Sequence, residues 1–192
     1  MATTTAMPGR FAASAAPASS FWDLLLAITL RDLRVKYHGT FLSYFWWIAR
    51  PLTMGLVMYF ALSRVLKVGI DNHAAFLLAA LFPWYWFQMG LHGATNAFVA
   101  NAGLVKKVQF PRIILPLSVV LGSTFEFLIT VPVLMLLLVI TGIDPDWTWA
   151  AGILPLMALE FALLCGLGVL VASLNVYFRD IGPGLDSALL LL

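Results

Sequence analysis

The chain has 192 residues, enough for roughly one domain. Of these, 62% are hydrophobic and only 10% are charged, and the net charge is +2. Soluble domains contain about 45–50% apolar and about 25% charged residues, so this composition excludes a soluble enzyme and a chain that is disordered throughout. The small net charge provides no electrostatic footprint for a nucleic acid, and the single cysteine excludes an internal disulfide framework.

Residues 1–19 are predicted to form a disordered tail. They are rich in Ala, Ser, Thr and Pro and carry one charge, Arg10. A signal peptide needs a basic segment followed by an apolar stretch of about 7–15 residues, and no such stretch follows Arg10 before Pro17.

A helix is predicted over residues 20–38, because Ser20 and Asp23 have the spacing of a capping box. At 3.6 residues per turn, one narrow arc of this helix carries only large apolar and aromatic side chains, while Arg31 and Arg34 lie off it. This pattern is typical of a helix that lies in the membrane interface. An ordinary amphipathic helix packed on protein is the alternative. The arc consists of Trp22, Leu26, Leu30, Leu33 and Tyr37.

Four apolar stretches follow, and each has the roughly 20 residues that a bilayer crossing needs. A fifth begins near Pro183 and is still apolar at Leu192, which predicts a chain truncated inside a helix. The fold predicted for residues 20–192 is therefore an all-α, polytopic membrane domain with four complete transmembrane helices and the start of a fifth. The predicted spans are about 41–62, 74–98, 113–140 and 149–174, with the fifth starting over 183–192.

The basic residues in the connections predict the orientation. Seven lie on the side that holds the first helix, whereas only Arg64 and Lys67 lie on the other. This asymmetry predicts a cytoplasmic N-terminus and places the acidic loop 141–148 outside. The seven are Arg31, Arg34, Lys36, Lys106, Lys107, Arg112 and Arg179.

No catalytic or metal site is predicted, because the three histidines lack ligand spacing and no P-loop or nucleophile elbow occurs. Glu126 and Glu160 fall near the middle of their predicted spans, where an ionised carboxylate is costly. They are interpreted either as protonated carboxyls bonded between helices, which is the favoured interpretation, or as part of a proton relay or polar conduit.

Two dense aromatic runs are candidates for the lining of a transport pathway. Flat rings offer contact area with few fixed hydrogen bonds, so a repeating polymer could slide along them. Interfacial anchoring and helix packing are the alternative. The candidates are Tyr44, Trp46, Trp47, Trp84, Tyr85 and Trp86.

The segment 101–112 mixes basic and apolar residues between the second and third spans. The positive-inside rule explains its charges, but it does not explain Leu104 and Phe110, which are expected to be exposed. Such residues are typical of a docking peptide. The candidate contacts are Asn101, Leu104, Lys106, Lys107, Phe110 and Arg112.

Three motifs resemble those of type-2 ABC exporter permeases for polysaccharides. The first is RDLRVKY at Arg31–Tyr37, followed by Trp46, Trp47 and Pro51-Leu52. The second, the central signature, comprises Phe82-Pro83-Trp84, Asn96 and LVKKVQFPRIILPLS at Leu104–Ser118. The third is NVYFRDI at Asn175–Ile181. Together the motifs extend over about residues 21–192, in the order and at the spacing of that family.

The resemblance implies a homodimeric permease of six spans per subunit in the bacterial inner membrane, driven by two cytoplasmic ATP-binding subunits. It implies export of a lipid-linked O-antigen, as in lipopolysaccharide, or of a capsular polysaccharide or teichoic acid. It also implies an interface helix at about 20–38 and a coupling helix within about 96–110. The chain itself is expected to bind no cofactor and to act as a permease, not an enzyme.

Two other functions stay open at this stage. One is an ABC exporter of a small hydrophobic compound, which the dense aromatic residues disfavour only weakly. The other is a membrane-embedded transferase acting on a lipid-linked sugar, which would need polar residues converging near one interface. A non-functional fragment is a further possibility.

Overall fold

The structure is a computed structural model that describes residues 21–37, 73–107, 109–140 and 147–191, with single positions at 49, 52, 53, 56, 57 and 60. The described part of the chain is helical and contains no strand, which confirms the all-α class. The predicted tail and most of the predicted first span lie outside these residues. The six helices are α1 (Phe21–Tyr37), α2 (His73–Ala100), α3 (Ala102–Lys107), α4 (Ile114–Ile140), α5 (Trp147–Tyr177) and α6 (Ile181–Leu191).

Three long helices form the body of the fold. Helices α2, α4 and α5 have 28, 27 and 31 residues, so each is about 40–46 Å long at 1.5 Å per residue. Each contains an internal proline, respectively Pro83, Pro132 and Pro155. A proline removes one backbone hydrogen bond from its helix. Membrane helices tolerate such prolines because neighbouring helices and side chains satisfy the freed backbone groups.

Two helices in the described part of the chain are long and apolar enough to cross a membrane, Ile114–Leu136 and Ala151–Tyr177. They coincide with the third and fourth predicted spans. Helix α2 covers the second predicted span and includes the polar residues Gln88, His92 and Asn96. The predicted fifth stretch begins two residues earlier than expected, at Ile181.

The core lies where α2 packs against α4 and α5. Glycines allow close approach of these helices. A Cβ built on Gly168 would stand 3.0 Å from the Ala94 Cβ, and a Cβ on Gly93 would stand 2.7 Å from Val119 Cγ1. Side-chain volume at these positions therefore fixes how near the helices come. The buried apolar residues are Phe82, Trp86, Leu91, Ala94, Val120, Phe127, Leu134, Leu164 and Leu189.

Helix α1 packs against α4 through a different face from the predicted apolar arc. Leu25, Ile28 and Thr29 are buried, whereas Trp22 and Leu30 are 66% and 47% exposed. The helix therefore has both a protein-facing side and an exposed apolar side. The protein-facing side matches the alternative of a helix packed on protein. The exposed apolar side is what a helix in the membrane interface needs.

The contacts between α1 and α4 advance along both helices in the same direction. The Thr29 hydroxyl lies 3.3 Å from the Ser118 carbonyl oxygen, and Leu33 Cδ2 lies 3.9 Å from a Cβ built on Gly122. One turn further on, Lys36 reaches Glu126. A helix lying in the membrane plane was not expected to contact α4 over this length, from Ser118 to Glu126.

Candidate functional site

The segment between α2 and α4 is a compact turn built on Asn101. The Asn101 carbonyl accepts hydrogen bonds from the backbone N–H groups of Leu104 (2.9 Å) and Val105 (3.1 Å). Its side-chain amide donates to the Ala97 carbonyl at 3.1 Å. The short helix α3 follows, with Lys106 and Lys107 exposed and Leu104 half-buried. Arg112 is also exposed, so this end of the molecule presents three cations.

Arg31 joins this turn to α1. Its Nη2 donates to Asn101 Oδ1 at 3.1 Å and to Asp32 Oδ1 at 2.6 Å. The sequence placed Arg31 on the polar side of α1 but could not identify a partner 70 residues away. Arg34, the other predicted cation of this helix, is exposed.

Phe110 differs from the expectation of an exposed anchor. It is half-buried and packs against the cluster that Leu25, Ile28 and Ile114 form between α1 and α4. The turn at Pro111 and Arg112 directly precedes α4, so it carries the ring back onto the start of that helix. Phe110 therefore attaches the segment to its own subunit.

The aromatic pathway candidates occupy different environments. Trp86 is 4% exposed and stacks on Phe127, with ring centroids 4.6 Å apart and planes 10° apart. These are the contacts of a core residue. Trp84 is half-buried and stacks on Phe87, and Tyr85 is half-buried. Tyr44, Trp46 and Trp47 lie outside the described residues.

The two intramembrane carboxyls have unlike surroundings. Glu126 is 4% exposed, and its Oε1 accepts a hydrogen bond from Lys36 Nζ at 2.6 Å. A cationic partner was not expected, because Lys36 is 90 residues away in the sequence and precedes the first span. Glu160 is half-buried on α5, and the hydrogen bonds and ion pairs of the described residues do not include it.

A buried polar junction joins the ends of α2, α5 and α6. Asn175 is 4% exposed. Its Nδ2 donates to the Thr95 carbonyl at 3.0 Å, and its Oδ1 accepts from the Gly182 N–H at 3.2 Å. The second bond satisfies one of the free N–H groups at the start of α6. A single amide side chain therefore holds three helices together.

A second set of polar side chains, which we call the outer polar row, runs beside this junction and consists of Gln88, His92, Asn96 and Asp186. Gln88 Nε2 donates to the Leu189 carbonyl at 3.0 Å. His92 Nδ1 lies 2.6 Å from Asp186 Oδ1, and because a carboxylate only accepts, the imidazole donates. The side chains of His92 and Asp186 are 50% and 52% exposed. This row was not predicted from the sequence, although the spacing 88, 92, 96 in an apolar helix could have indicated it.

No grouping of three or more His, Cys, Asp or Glu side chains that could hold a metal ion occurs among the described residues. The arrangement provides cations at one end, an ion pair between the exposed Lys36 and the buried Glu126 where α1 meets α4, and a partly exposed polar row between α2 and α6. Within the described ranges, these groups offer surfaces for binding, and no nucleophile is paired with a base.

Comparison with known proteins identifies relatives of one kind. Two proteins of Klebsiella pneumoniae, both named O-antigen export system permease protein RfbA, are 38% identical to the chain over 161 residues, which is 83% of this chain and 62% of each relative. A protein of the same name from Myxococcus xanthus is 31% identical over 159 residues, or 82% of this chain and 60% of the relative. No protein-family model matches the chain.

The chain spans about three fifths of the length of the relatives that it matches. Identity of this extent establishes homology over the matched region. The resemblance predicted from the motifs is thereby confirmed.

Proposed function

We propose that this chain, a homologue of the permease proteins of O-antigen export systems, forms the membrane-spanning part of an ATP-driven exporter that moves a lipid-linked polysaccharide out of the bacterial cytoplasm. The observation that carries the proposal is the 38% identity over 161 residues. The chain contributes the pathway, and a separate cytoplasmic subunit hydrolyses ATP. Neither the small-molecule exporter nor the transferase has a comparable observation in its favour.

The ATP-binding partner would dock on α3 and the turns on either side of it. Lys106, Lys107 and Arg112 are exposed there and suit an acidic surface. The Asn101 carbonyl holds the start of α3, Arg31 bonds the turn to α1, and Phe110 packs between α1 and α4. Because one segment contacts both helices, movement of the partner would shift α1 and α4 together. This is how ATP hydrolysis would alter the pathway.

The proposed assembly is a homodimer with two ATP-binding subunits in the inner membrane, with the N-terminus in the cytoplasm. The seven-to-two distribution of basic residues supports this orientation. Only 11% of the apolar window of α5 is buried within the chain, so this helix leaves a large apolar surface for lipid, a second copy or another part of the full-length protein. The exposed side of α1 would lie against lipid beside the cytoplasmic half of α4.

The glycan would pass along a surface that includes aromatic rings. Trp84 and Tyr85, which are half-buried, and the sequence candidates Tyr44, Trp46 and Trp47 are proposed for this lining. Trp86 is a weaker candidate because it packs on Phe127 inside the subunit.

Complementation tests the proposal. The full-length protein and its ATP-binding partner are expressed in a bacterium whose own O-antigen permease gene is deleted, and surface O-antigen is measured by antibody binding to intact cells. We expect surface glycan to return only when both proteins are present and the partner can hydrolyse ATP. Lipid-linked glycan that stays inside in every strain would contradict the proposal.

A further inference from the structure

We propose that the outer polar row, Gln88, His92, Asn96 and Asp186, forms a glycan-contacting strip in the cytoplasmic half of the transport pathway. This inference rests on the proposed function, and it adds a binding site with hydroxyl-rich sugar as its ligand. It differs from the aromatic lining, since it assigns polar contacts on α2 and α6.

The position of the row requires a polar environment. His92 lies eight residues before the end of α2 and Asp186 five residues after the start of α6, which corresponds to about 12 Å and 8 Å along the helices. Both distances fall inside a hydrocarbon core about 30 Å thick when these helix ends lie at the cytoplasmic surface. An ionisable pair that is half exposed at this depth would be costly to leave against lipid, so it faces water and substrate, a second subunit or another part of the full-length protein.

The buried Asn175 and the outer polar row differ in how many of their hydrogen-bonding atoms have a partner. Asn175 uses both ends of its amide within the protein and is buried, so its role is structural. In the outer polar row, Asp186 bonds through one oxygen and His92 through one ring nitrogen. Asn96 donates from Nδ2 to the His92 carbonyl. The second Asp186 oxygen, the second His92 nitrogen and the Asn96 amide oxygen have no partner among the described residues.

The chemistry of these free groups favours a sugar. Together they offer acceptors, and either a donor or an acceptor at the imidazole, which matches hydroxyl groups that both donate and accept. Residues 88, 92 and 96 repeat every four positions, or about 6 Å along α2. As the glycan moves, its hydroxyl groups could therefore exchange hydrogen bonds with one row residue for hydrogen bonds with the next, one helical turn further along. A simple hydrocarbon substrate would gain nothing from such a row.

The test uses thiol labelling of the full-length protein with its ATP-binding partner, in membranes from cells that make the lipid-linked glycan and from matched cells that do not. Asn96→Cys and Asp186→Cys are introduced in a Cys165→Ala background. Arg179→Cys serves as the control, because Arg179 is exposed in the turn between α5 and α6 and is predicted to lie in the cytoplasm. The probe is a small, charged, water-soluble methanethiosulfonate.

We expect both row cysteines to react in glycan-free membranes and to react roughly threefold or more slowly when glycan is present, because a bound ligand covers most of its site. The control should react equally in both membranes. Equal rates at the row cysteines with and without glycan would overturn the inference and leave the proposed function standing. No reaction at all would also overturn it, since lipid or protein would then cover the row.

Export provides the second measurement. Asp186→Asn keeps the shape of the side chain but removes its charge, and we expect it to lower surface glycan several-fold at normal protein level and normal copurification of the partner. Full export by Asp186→Asn together with Asn96→Ala would overturn the inference. If the unsubstituted protein exports no glycan, the proposed function fails and this inference fails with it.

Discussion

Lys36 Nζ donates a hydrogen bond to Glu126 Oε1 at 2.6 Å, with the glutamate side chain 5% exposed and the lysine side chain 56% exposed. The pair joins the last turn of α1 to the thirteenth residue of α4. A buried carboxylate without its cation is strongly destabilising, whereas the pair as a whole contributes little compared with neutral replacements. The function of this contact is therefore to hold α1 in one register on α4.

Lys36→Met should lower the free energy of unfolding by about 1–3 kcal/mol, because the buried acceptor then loses a charged donor. Adding Glu126→Gln should restore part of that loss, since a neutral amide costs less to bury. Thermal unfolding of purified protein in detergent compares Lys36→Met, Glu126→Gln and the double variant, with Lys106→Met as the exposed-lysine control. Equal and additive losses from the two substitutions would show that the residues do not interact.

Gly168→Ala should destabilise the protein by about 1–3 kcal/mol, the usual cost of overpacking a core. The added methyl would stand 3.0 Å from the Ala94 Cβ and 3.3 Å from Val120 Cγ2. Gly166→Ala is the matched control on the same helix, because nothing lies within 4 Å of its Cβ position. This control should be neutral or slightly stabilising, since alanine favours helix more than glycine. Equal melting temperatures for the two variants would contradict the close packing of α2 on α5.

Asn175→Asp should disrupt the junction of α2, α5 and α6. A carboxylate can still accept from the Gly182 N–H, but it would face the Thr95 carbonyl oxygen in place of a donor. The expected loss is about 1–3 kcal/mol, visible as a lower melting temperature. Ser173→Ala, two residues earlier on α5, is the control. A stable Asn175→Asp variant would mean that the buried amide does not bind α2 to α5.

Phe110→Ala should lower the free energy of unfolding and weaken the coupling of ATP hydrolysis to export. A fully buried phenylalanine costs about 3–5 kcal/mol when truncated, and roughly half of that is expected at this half-buried site. With its anchor lost, the segment should transmit less movement, so ATP hydrolysis in the purified complex should continue while export falls. Lys106→Ala should leave stability unchanged and make copurification of the ATP-binding partner more sensitive to salt. If Lys106→Ala lowered stability and export while Phe110→Ala changed only the salt sensitivity of copurification, the lysine charge and not the Phe110 ring would attach the segment.

The predicted orientation can be tested with an impermeant thiol reagent on intact cells, in a Cys165→Ala background. A cysteine at Asp146, in the predicted outer loop beyond the described residues, should react. Cysteines at Lys107 and Arg179 should react only after the membrane is opened, because the positive-inside rule places both in the cytoplasm. Labelling of Lys107→Cys but not Asp146→Cys in intact cells would invert the topology.

The sequence by itself determined where α1, α2, α4 and α5 lie and the class to which the chain is related. Length and hydropathy of a segment are local properties, so the residues of α4 and α5 predicted their spans to within about three residues at each end. The motifs around Leu104–Ser118 and Asn175–Ile181 likewise predicted the relationship to polysaccharide-export permeases, because a motif is read along the chain.

Only the tertiary structure decided which side chains meet. Lys36 pairs with Glu126 across 90 positions and His92 with Asp186 across 94, and Phe110 packs inward onto α1 and α4. Hydropathy specifies that a helix is buried or membrane-bound, but not its rotation or register. Those are set by how closely the helices approach, which depends on the space left at Gly93 and Gly168 and on the volumes opposite them.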